Sequence, residues 1–268
     1  MRSLAIACLT LFWASSAFAQ AQLSVAMDRL GIGEMIEIMR VEGVDYAASL
    51  NDEMLDGQGG SLWIAQVDGI YDAARMGETV RASLATLSDE HLCTINVFYG
   101  SDVGRQVIAL ELAARRAVMD KDLETIAREA YVQAVAENDP KVVQLQQLEQ
   151  SGDMIERNVT GALTANYRFF SGMVDGDAFA MSEDEIIAEA WAQEDEIRED
   201  TSEWLMGYLM LSYQPLENDA FEAYLTFAET PAGRALNGAI FDGFNTMYAD
   251  ISYALGRAVA LNLIGDEL

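Results

Sequence analysis

The side chains best suited to nucleophilic or metal chemistry are one histidine and one cysteine in the first half of the chain. His91 is the only histidine, and Cys93 follows it two positions later. Side chains two positions apart on a helix point in different directions, so these two are not expected to form a catalytic pair. One histidine and one cysteine also cannot assemble a usual zinc site. We therefore predict no catalytic residue, no metal and no cofactor from this group.

Carboxylates are the second candidate group, because two facing carboxyls can hydrolyse a glycan without other chemistry. Their densest run lies in residues 182–203, where Arg198 is the one basic residue. This pattern is typical of a solvated acidic helix, with weak binding of calcium or a cationic partner as the alternative. Asp175-Gly176-Asp177 resembles the start of a calcium loop, but Phe179 and Met181 stand where an EF-hand needs oxygen ligands and glycine. We predict no metal here.

The amino terminus has the organisation of a secretory signal peptide. Within residues 1–19 a basic residue precedes an apolar run, and Ala17-Phe18-Ala19 fits a small-x-small cleavage site. Cys8 lies inside the apolar run rather than at its end, so lipidation is not expected. The sequence therefore predicts a mature chain that starts at Gln20 and is periplasmic or secreted.

The mature chain is expected to be strongly acidic. The full sequence has 16 basic and 44 acidic residues, a net charge of −28, and loss of Arg2 with the signal peptide would give −29. This charge opposes binding to nucleic acid and to anionic membranes, which are polyanions. No later stretch approaches the about 20 apolar residues of a membrane span. An unknown protein or another cationic molecule is the expected partner.

Cys93 would be the sole cysteine of the mature chain, so it cannot form an internal disulfide. We expect it to be buried as a small apolar residue, with pairing to another chain as the alternative.

The candidate side chains must be positioned by the helices of the chain, and one short sequence motif that shapes such helices occurs twice. It reads FYGSDVGR at residues 98–105 and FAETPAGR at residues 227–234. A hydroxyl followed by proline or aspartate is the order expected at a helix start. The glycine of the first turn allows close approach of a neighbouring helix, and the phenylalanine closes the preceding helix. A phosphate cradle would need several glycines after a strand. The phrase thus predicts a helix–corner–helix motif built from Phe98, Ser101, Gly104, Arg105, Phe227, Thr230, Pro231, Gly233 and Arg234.

The repetition extends upstream of the corner. GEMIE at residues 33–37 matches GDMIE at 152–156, and MLDG at 54–57 matches MVDG at 173–176. These pairs are 119 positions apart, whereas the corner phrases are 129 apart. Matches in the same order, with extra residues in the second copy, predict an internal duplication.

We therefore predict an all-α protein of two tandem similar helical domains, residues 20–150 and 151–268. Apolar positions recur at helical spacing, and the three prolines fall where helices should start or stop. The apolar stripe of residues 236–258 is longer than one helical hairpin can cover. The copies are accordingly expected to pack as a two-fold pseudo-dimer within one monomeric chain. Aromatic residues such as Trp63 and Trp191 are expected in the core, with a groove between the copies as the alternative for some.

The corner phrase, with Leu87-Ser88-Asp89-Glu90 before it, resembles the bacterial family called domain of unknown function 2059. Members of this family look like exported, all-helical proteins with an F-Y-x-[ST]-P-x-G corner after an acidic capped helix. The first copy keeps Tyr99 but has Asp102 at the proline position, and the second keeps Pro231 but has Ala228 at the tyrosine position. The resemblance implies a fold and a compartment, and it implies no activity.

These features predict an exported helical protein that acts as a non-enzymatic binding or accessory module of the bacterial periplasm. The alternative is a carboxylate-dependent glycan hydrolase of the cell envelope. The hydrolase would need two carboxyls facing one another in a deep cleft, at least one of them with a strongly shifted pKa.

Overall fold

A computed structural model describes residues 19–265, which form helices joined by short turns, with no strand in that range. The all-α prediction is therefore confirmed. The predicted signal peptide lies outside the described residues except for residue 19. The helices are α1 (19–29), α2 (Ile32–Met54), α3 (Gly60–Ile70), α4 (Ala73–Leu84), α5 (Asp89–Tyr99), α6 (Asp102–Ala117), α7 (Lys121–Glu137), α8 (Pro140–Gly152), α9 (Met154–Asp175), α10 (Glu183–Trp191), α11 (Glu194–Tyr213), α12 (Asn218–Ala228) and α13 (Pro231–Gly265).

The three prolines mark helix boundaries. Pro140 is the first residue of α8, and the Asp139 side chain before it accepts a hydrogen bond from the Lys141 backbone N–H. Pro231 is the first residue of α13, and Pro215 follows Gln214, the C-cap residue of α11. Proline is tolerated at the first helical position because its missing N–H would have no partner there.

The corners after α5 and α12 are built in the same way. Ser101 Oγ accepts from the Gly104 N–H at 3.1 Å and donates to the Phe98 carbonyl at 2.6 Å. Thr230 Oγ1 accepts from the Gly233 N–H at 3.0 Å and donates to the Phe227 carbonyl at 2.7 Å. In each corner one hydroxyl therefore ties the end of one helix to the start of the next.

Each corner also requires a residue without a side chain in the first turn. A Cβ built on Gly104 would lie 2.2 Å from the Phe98 carbonyl oxygen, and one on Gly233 would lie 2.2 Å from the Phe227 carbonyl oxygen. Such distances are much shorter than the van der Waals contact distance between carbon and oxygen. The glycines thus allow the second helix of each corner to start directly against the end of the first.

The longest helix, α13, is the centre of the packing and lies against α9, α4 and α5. Its contact with α9 is close because each helix has a glycine at the contact. A Cβ on Gly172 of α9 would lie 2.2 Å from the Tyr253 carbonyl oxygen. A Cβ on Gly256 of α13 would lie 2.1 Å from the Phe169 carbonyl oxygen. One continuous core contains buried residues from α1 to α13. Among the described helices, none is long and apolar enough to cross a membrane.

The predicted acidic helix 182–203 is wrong in its extent, because the segment forms α10 and the first half of α11 with a break after Trp191. Each helix has its own start. Ser182 and Glu185 form a capping box at α10, and three acidic residues, 194–196, occupy the first turn of α11. Acidic side chains are favoured at the positive end of a helix dipole, which is the first turn. The acidic run therefore stabilises the first turns of both α10 and α11.

Two expectations of burial are also corrected. Cys93 is exposed, because its neighbours Leu92 and Ile95 take the inward positions of α5. Trp191 at the end of α10 is 45% exposed, whereas Trp63 is buried and donates its Nε1 hydrogen to the Ala47 carbonyl at 3.2 Å.

Candidate functional site

A cavity of about 530 Å³, partly open to solvent, lies between the helices of the first and second halves of the chain. Most of its wall is apolar. Cavities of roughly 300 to 1,000 Å³ with mainly apolar walls and a few polar groups are typical of small-molecule sites. The wall includes Ile32, Met35 and Met39 of α2, Met154, Gly161 and Ala162 of α9, and Leu236, Ile240 and Phe244 of α13.

Residues separated by the two spacings of the predicted repeat line the cavity together. At the 129-position spacing of the corner phrases the pairs are Tyr99 with Ala228, Ile108 with Asn237, Glu111 with Ile240, and Arg115 with Phe244. At the 119-position spacing of the upstream matches they are Ile32 with Ser151, Met35 with Met154, and Met39 with Asn158. The two walls differ in polarity, because α6 contributes Glu111 and Arg115 whereas α13 contributes Ile240 and Phe244, 129 positions later. One wall of the cavity is therefore charged and the other is apolar.

Glu111 is the polar residue most firmly held in the wall. Its Oε1 accepts hydrogen bonds from the hydroxyls of Tyr213 and Tyr224, the latter at 3.3 Å. The Tyr208 hydroxyl donates to the Glu111 backbone carbonyl at 3.1 Å. Glu111 is surrounded by protein and keeps accessible surface, which lines the cavity. Tyrosines of α11 and α12 thus fix a carboxyl of α6 at the cavity surface.

Burial dominates the electrostatics of this cluster. It raises the pKa of the Glu111 carboxyl above its usual value, and the hydrogen bonds from Tyr213 and Tyr224 oppose that rise. Burial also raises the pKa values of the Tyr99, Tyr208, Tyr213 and Tyr224 hydroxyls, and the negative charge of nearby Glu111 raises them further. These four tyrosines therefore remain neutral hydrogen-bonding groups around one carboxyl.

Arg115 lies one helical turn after Glu111 and has its own partner. Its guanidinium pairs with Glu42 of α2 and lies over the Trp204 ring, 5.7 Å from the ring centroid. Trp204 in turn stacks on Tyr208 with the ring planes 2° from parallel. Burial raises the pKa of Glu42, and Arg115 opposes that rise. The guanidinium is thus held by one carboxylate and one aromatic face.

The acidic residues singled out in the sequence lie elsewhere. Surface ion pairs join α11 to other helices: Asp200 of α11 pairs with Arg128 of α7 at 2.9 Å, and Arg198 of α11 pairs with Glu156 of α9. Within residues 19–265, no group of three or more histidine, cysteine or acidic side chains is placed to hold a metal ion. His91 and Cys93 lie on α5 and do not line the cavity.

Of the nine predicted corner residues, Phe227 and Gly233 form part of the cavity wall, and the other seven do not line it. Sequence reasoning missed Glu111, Tyr213 and Tyr224. A signal for Glu111 was present, because it interrupts an apolar face of α6 between the buried residues Val107 and Ala114. No local pattern marks the tyrosines, which lie 102 and 113 positions away from Glu111 in the chain.

No protein-family model, curated protein or solved structure matches this chain. Its class is therefore defined by its own geometry: an all-helical protein with an apolar cavity whose wall carries a tyrosine-held carboxyl.

Proposed function

We propose that the mature chain is an exported, non-enzymatic protein that binds an apolar small molecule in the cavity between its two halves. The observation that supports this function is the cavity itself, about 530 Å³ in volume, with a mainly apolar wall and one carboxyl held by tyrosines. Burial of an apolar ligand there would be favourable by about 25 cal/mol per Å² of apolar surface removed from water.

The geometry favours binding over glycan hydrolysis. A hydrolase of the predicted kind needs two carboxyls that face one another across the substrate. Of the described residues that line the cavity, Glu111 is the one with a carboxyl, and its corresponding position in the second half is Ile240. An apolar wall also provides few hydrogen bonds for a sugar. The hydrolase hypothesis is thus left without a supporting observation in the cavity.

We further propose that the cavity arose when two copies of one helical unit were joined in a single chain. The helix order supports this origin, because α2 to α6 and α9 to α13 both run as a long helix, a shorter one, a third, an 11-residue helix and a corner. Contacts between the halves are reciprocal: α6 packs on α11 and α12, and α13 packs on α4 and α5. The 119- and 129-position pairs in the cavity wall support the same origin.

Reciprocal contacts of this kind are expected of an isologous dimer interface, in which the same surface is used on both sides. An experimental structure of the mature chain tests the idea: a rotation of about 180° should superpose α2–α6 on α9–α13 with both corners aligned. A different rotation, or a fit limited to the corner, would contradict the duplication.

Binding is tested with decanol as an uncharged apolar probe and with two matched variants. Ala162→Phe places a large side chain in the cavity wall, whereas Thr160→Phe places the same side chain on the exposed face of α9. Calorimetric titration should show saturable binding to wild type and to Thr160→Phe, and about tenfold weaker binding to Ala162→Phe because part of the cavity is filled. No binding of decanol to wild type, together with no binding of its ten-carbon amine and carboxylate analogues, would refute the proposed function.

The export part of the proposal depends on residues 1–19 and is tested separately. Amino-terminal sequencing of protein recovered from the periplasm of an expressing cell should give Gln20 as the first residue. Recovery of a chain that still begins at Met1 would contradict export through a cleaved signal peptide.

A further inference from the structure

We propose that the ligand of the cavity is an apolar amine, bound as its ammonium ion with the charged head against Glu111 and the apolar part against α13. This inference rests on the proposed binding function and specifies its ligand class. It is carried by three features of the cavity: an unneutralised carboxyl, a set of aromatic rings around it, and a corresponding wall without charge.

The first feature is the charge at the polar wall. Arg115 is paired with Glu42, so its charge is already compensated. Glu111 belongs to no ion pair among the described residues, and its partners are two neutral tyrosine hydroxyls. With all three groups ionised, this wall carries one excess negative charge. A carboxylate surrounded by protein without a counter-ion is costly, and a cationic ligand would remove that cost.

The free oxygen of Glu111 gives the cation a contact. The two tyrosines both donate to Oε1, and no described hydrogen bond engages Oε2. An ammonium group has donors only, so it can bind Oε2 without displacing either tyrosine. A fatty acid would bring a second carboxylate next to the first, which is repulsive. An alcohol would form a hydrogen bond and leave the charge uncompensated.

The second feature is the aromatic surroundings. Tyr99, Tyr208, Tyr213 and Tyr224 lie around Glu111, and aromatic rings attract cations through the negative potential of their faces. Rings of this region already hold cations of the protein. Arg115 lies over Trp204, and Lys141 Nζ lies 4.6 Å from the centroid of Phe221, whose ring is 5.2 Å from that of Tyr213.

The third feature is the corresponding wall of α13. Ile240 and Phe244 stand at the positions that correspond to Glu111 and Arg115, and Met154 and Ala162 of α9 extend the apolar surface. A ligand with charge at one end and hydrocarbon at the other matches a cavity that is charged on one wall and apolar on the other. The acidity of the whole chain, net −28, favours the approach of cations to the opening.

The test uses three probes with the same ten-carbon chain and different heads: decylamine, decanol and decanoate, each titrated calorimetrically at neutral pH. Decylamine is then an ammonium ion, since alkylamines of this kind lose their proton only near pH 10. We expect decylamine to bind wild type about tenfold or more tighter than decanol, and decanoate to bind weakest, because an ammonium–carboxylate hydrogen bond is stronger than a neutral one.

Glu111→Gln should abolish the preference for decylamine over decanol, with the larger loss of affinity falling on decylamine. The control Glu90→Gln removes the same charge from an exposed site on α5 and should keep the preference. If Glu90→Gln loses it equally, general acidity explains the selectivity and the assignment to Glu111 is wrong.

Comparison of the three probes on the wild-type protein tests the inference even if Glu111→Gln does not fold. Equal or tighter binding of decanol or decanoate would overturn the ammonium assignment while leaving apolar binding intact. Failure of all three probes to bind would refute the proposed function itself.

Discussion

The rings of Phe98 and Phe227 stack on one another, with centroids 4.1 Å apart and planes 5° from parallel. Each is the last but one residue of an 11-residue helix, and each precedes a corner capped by a hydroxyl. The two residues hold corresponding positions 129 residues apart in the chain. Their contact therefore joins the two corners directly, as the proposed two-fold relation between the halves predicts.

This stack predicts an energetic coupling between the two phenylalanines. Phe227→Ala should lower the free energy of unfolding by about 3 kcal/mol, because the ring is buried and leaves a cavity. In a double-mutant cycle with Phe98→Ala, we expect a coupling of about 0.5 to 1.5 kcal/mol, measured by urea denaturation. Strictly additive effects would show that the ring contact contributes nothing of its own.

The corner glycines should be intolerant of any side chain. Gly104→Ala and Gly233→Ala should each destabilise the protein by about 2 kcal/mol or more, and leucine by more than alanine, because a Cβ would meet a carbonyl oxygen at 2.2 Å. Gly69→Ala is the matched control, since a Cβ at this exposed helical position meets nothing within 4 Å. It should stabilise by up to about 1 kcal/mol. Thermal unfolding distinguishes the two results, and unchanged midpoints in the corner variants would contradict our account of the corner.

Glu111 should make stability depend on pH. Its pKa is raised in the folded protein, so the folded state holds the proton more tightly than the unfolded state. At about pH 4 most of the Glu111 carboxyl is protonated in both states, so the stability difference between wild type and Glu111→Gln should be smallest there. As the pH rises from there, the unfolded state releases its proton first, so wild type should lose stability relative to the glutamine variant.

The measurement is urea denaturation of wild type and Glu111→Gln at pH 4, 5.5 and 7. The neighbours that share this environment are Tyr99, Tyr208, Tyr213, Tyr224 and Arg115, and the same five are present in both proteins. A stability difference that stays constant from pH 4 to pH 7 would mean that Glu111 does not titrate in this way.

Trp204 should report on cavity occupancy. It lines the cavity, whereas Trp63 is buried and Trp191 is exposed, and neither of these two forms part of the cavity wall. Saturating decanol should change the tryptophan emission of wild type and of Trp191→Phe, because the environment of the Trp204 ring changes. The change should vanish in Trp204→Phe. An emission change that persists in Trp204→Phe would place the probe at another site.

Local rules explain why much of the fold could be predicted from sequence. The starts of α8 and α13 at Pro140 and Pro231 depend on residues within one turn, as does the capping box at Ser182. The same rules failed where a pattern allowed two outcomes. The acidic run beyond Glu183 is compatible with one continuous helix or with two separate helices, and Cys93 fits either face of an apolar helix.

The sequence by itself determined the helical class, the positions of the prolines at helix ends and the chemistry available to the chain. Only the tertiary structure decided that Glu111 meets Tyr213 and Tyr224, and that these groups border an apolar cavity. The reason is physical. A cap or a turn is formed by neighbours in the chain, so its energy depends only on residues that are close in sequence. A site assembled from residues 102 and 113 positions apart depends on how whole helices pack, and that packing is decided by the combined burial of many side chains.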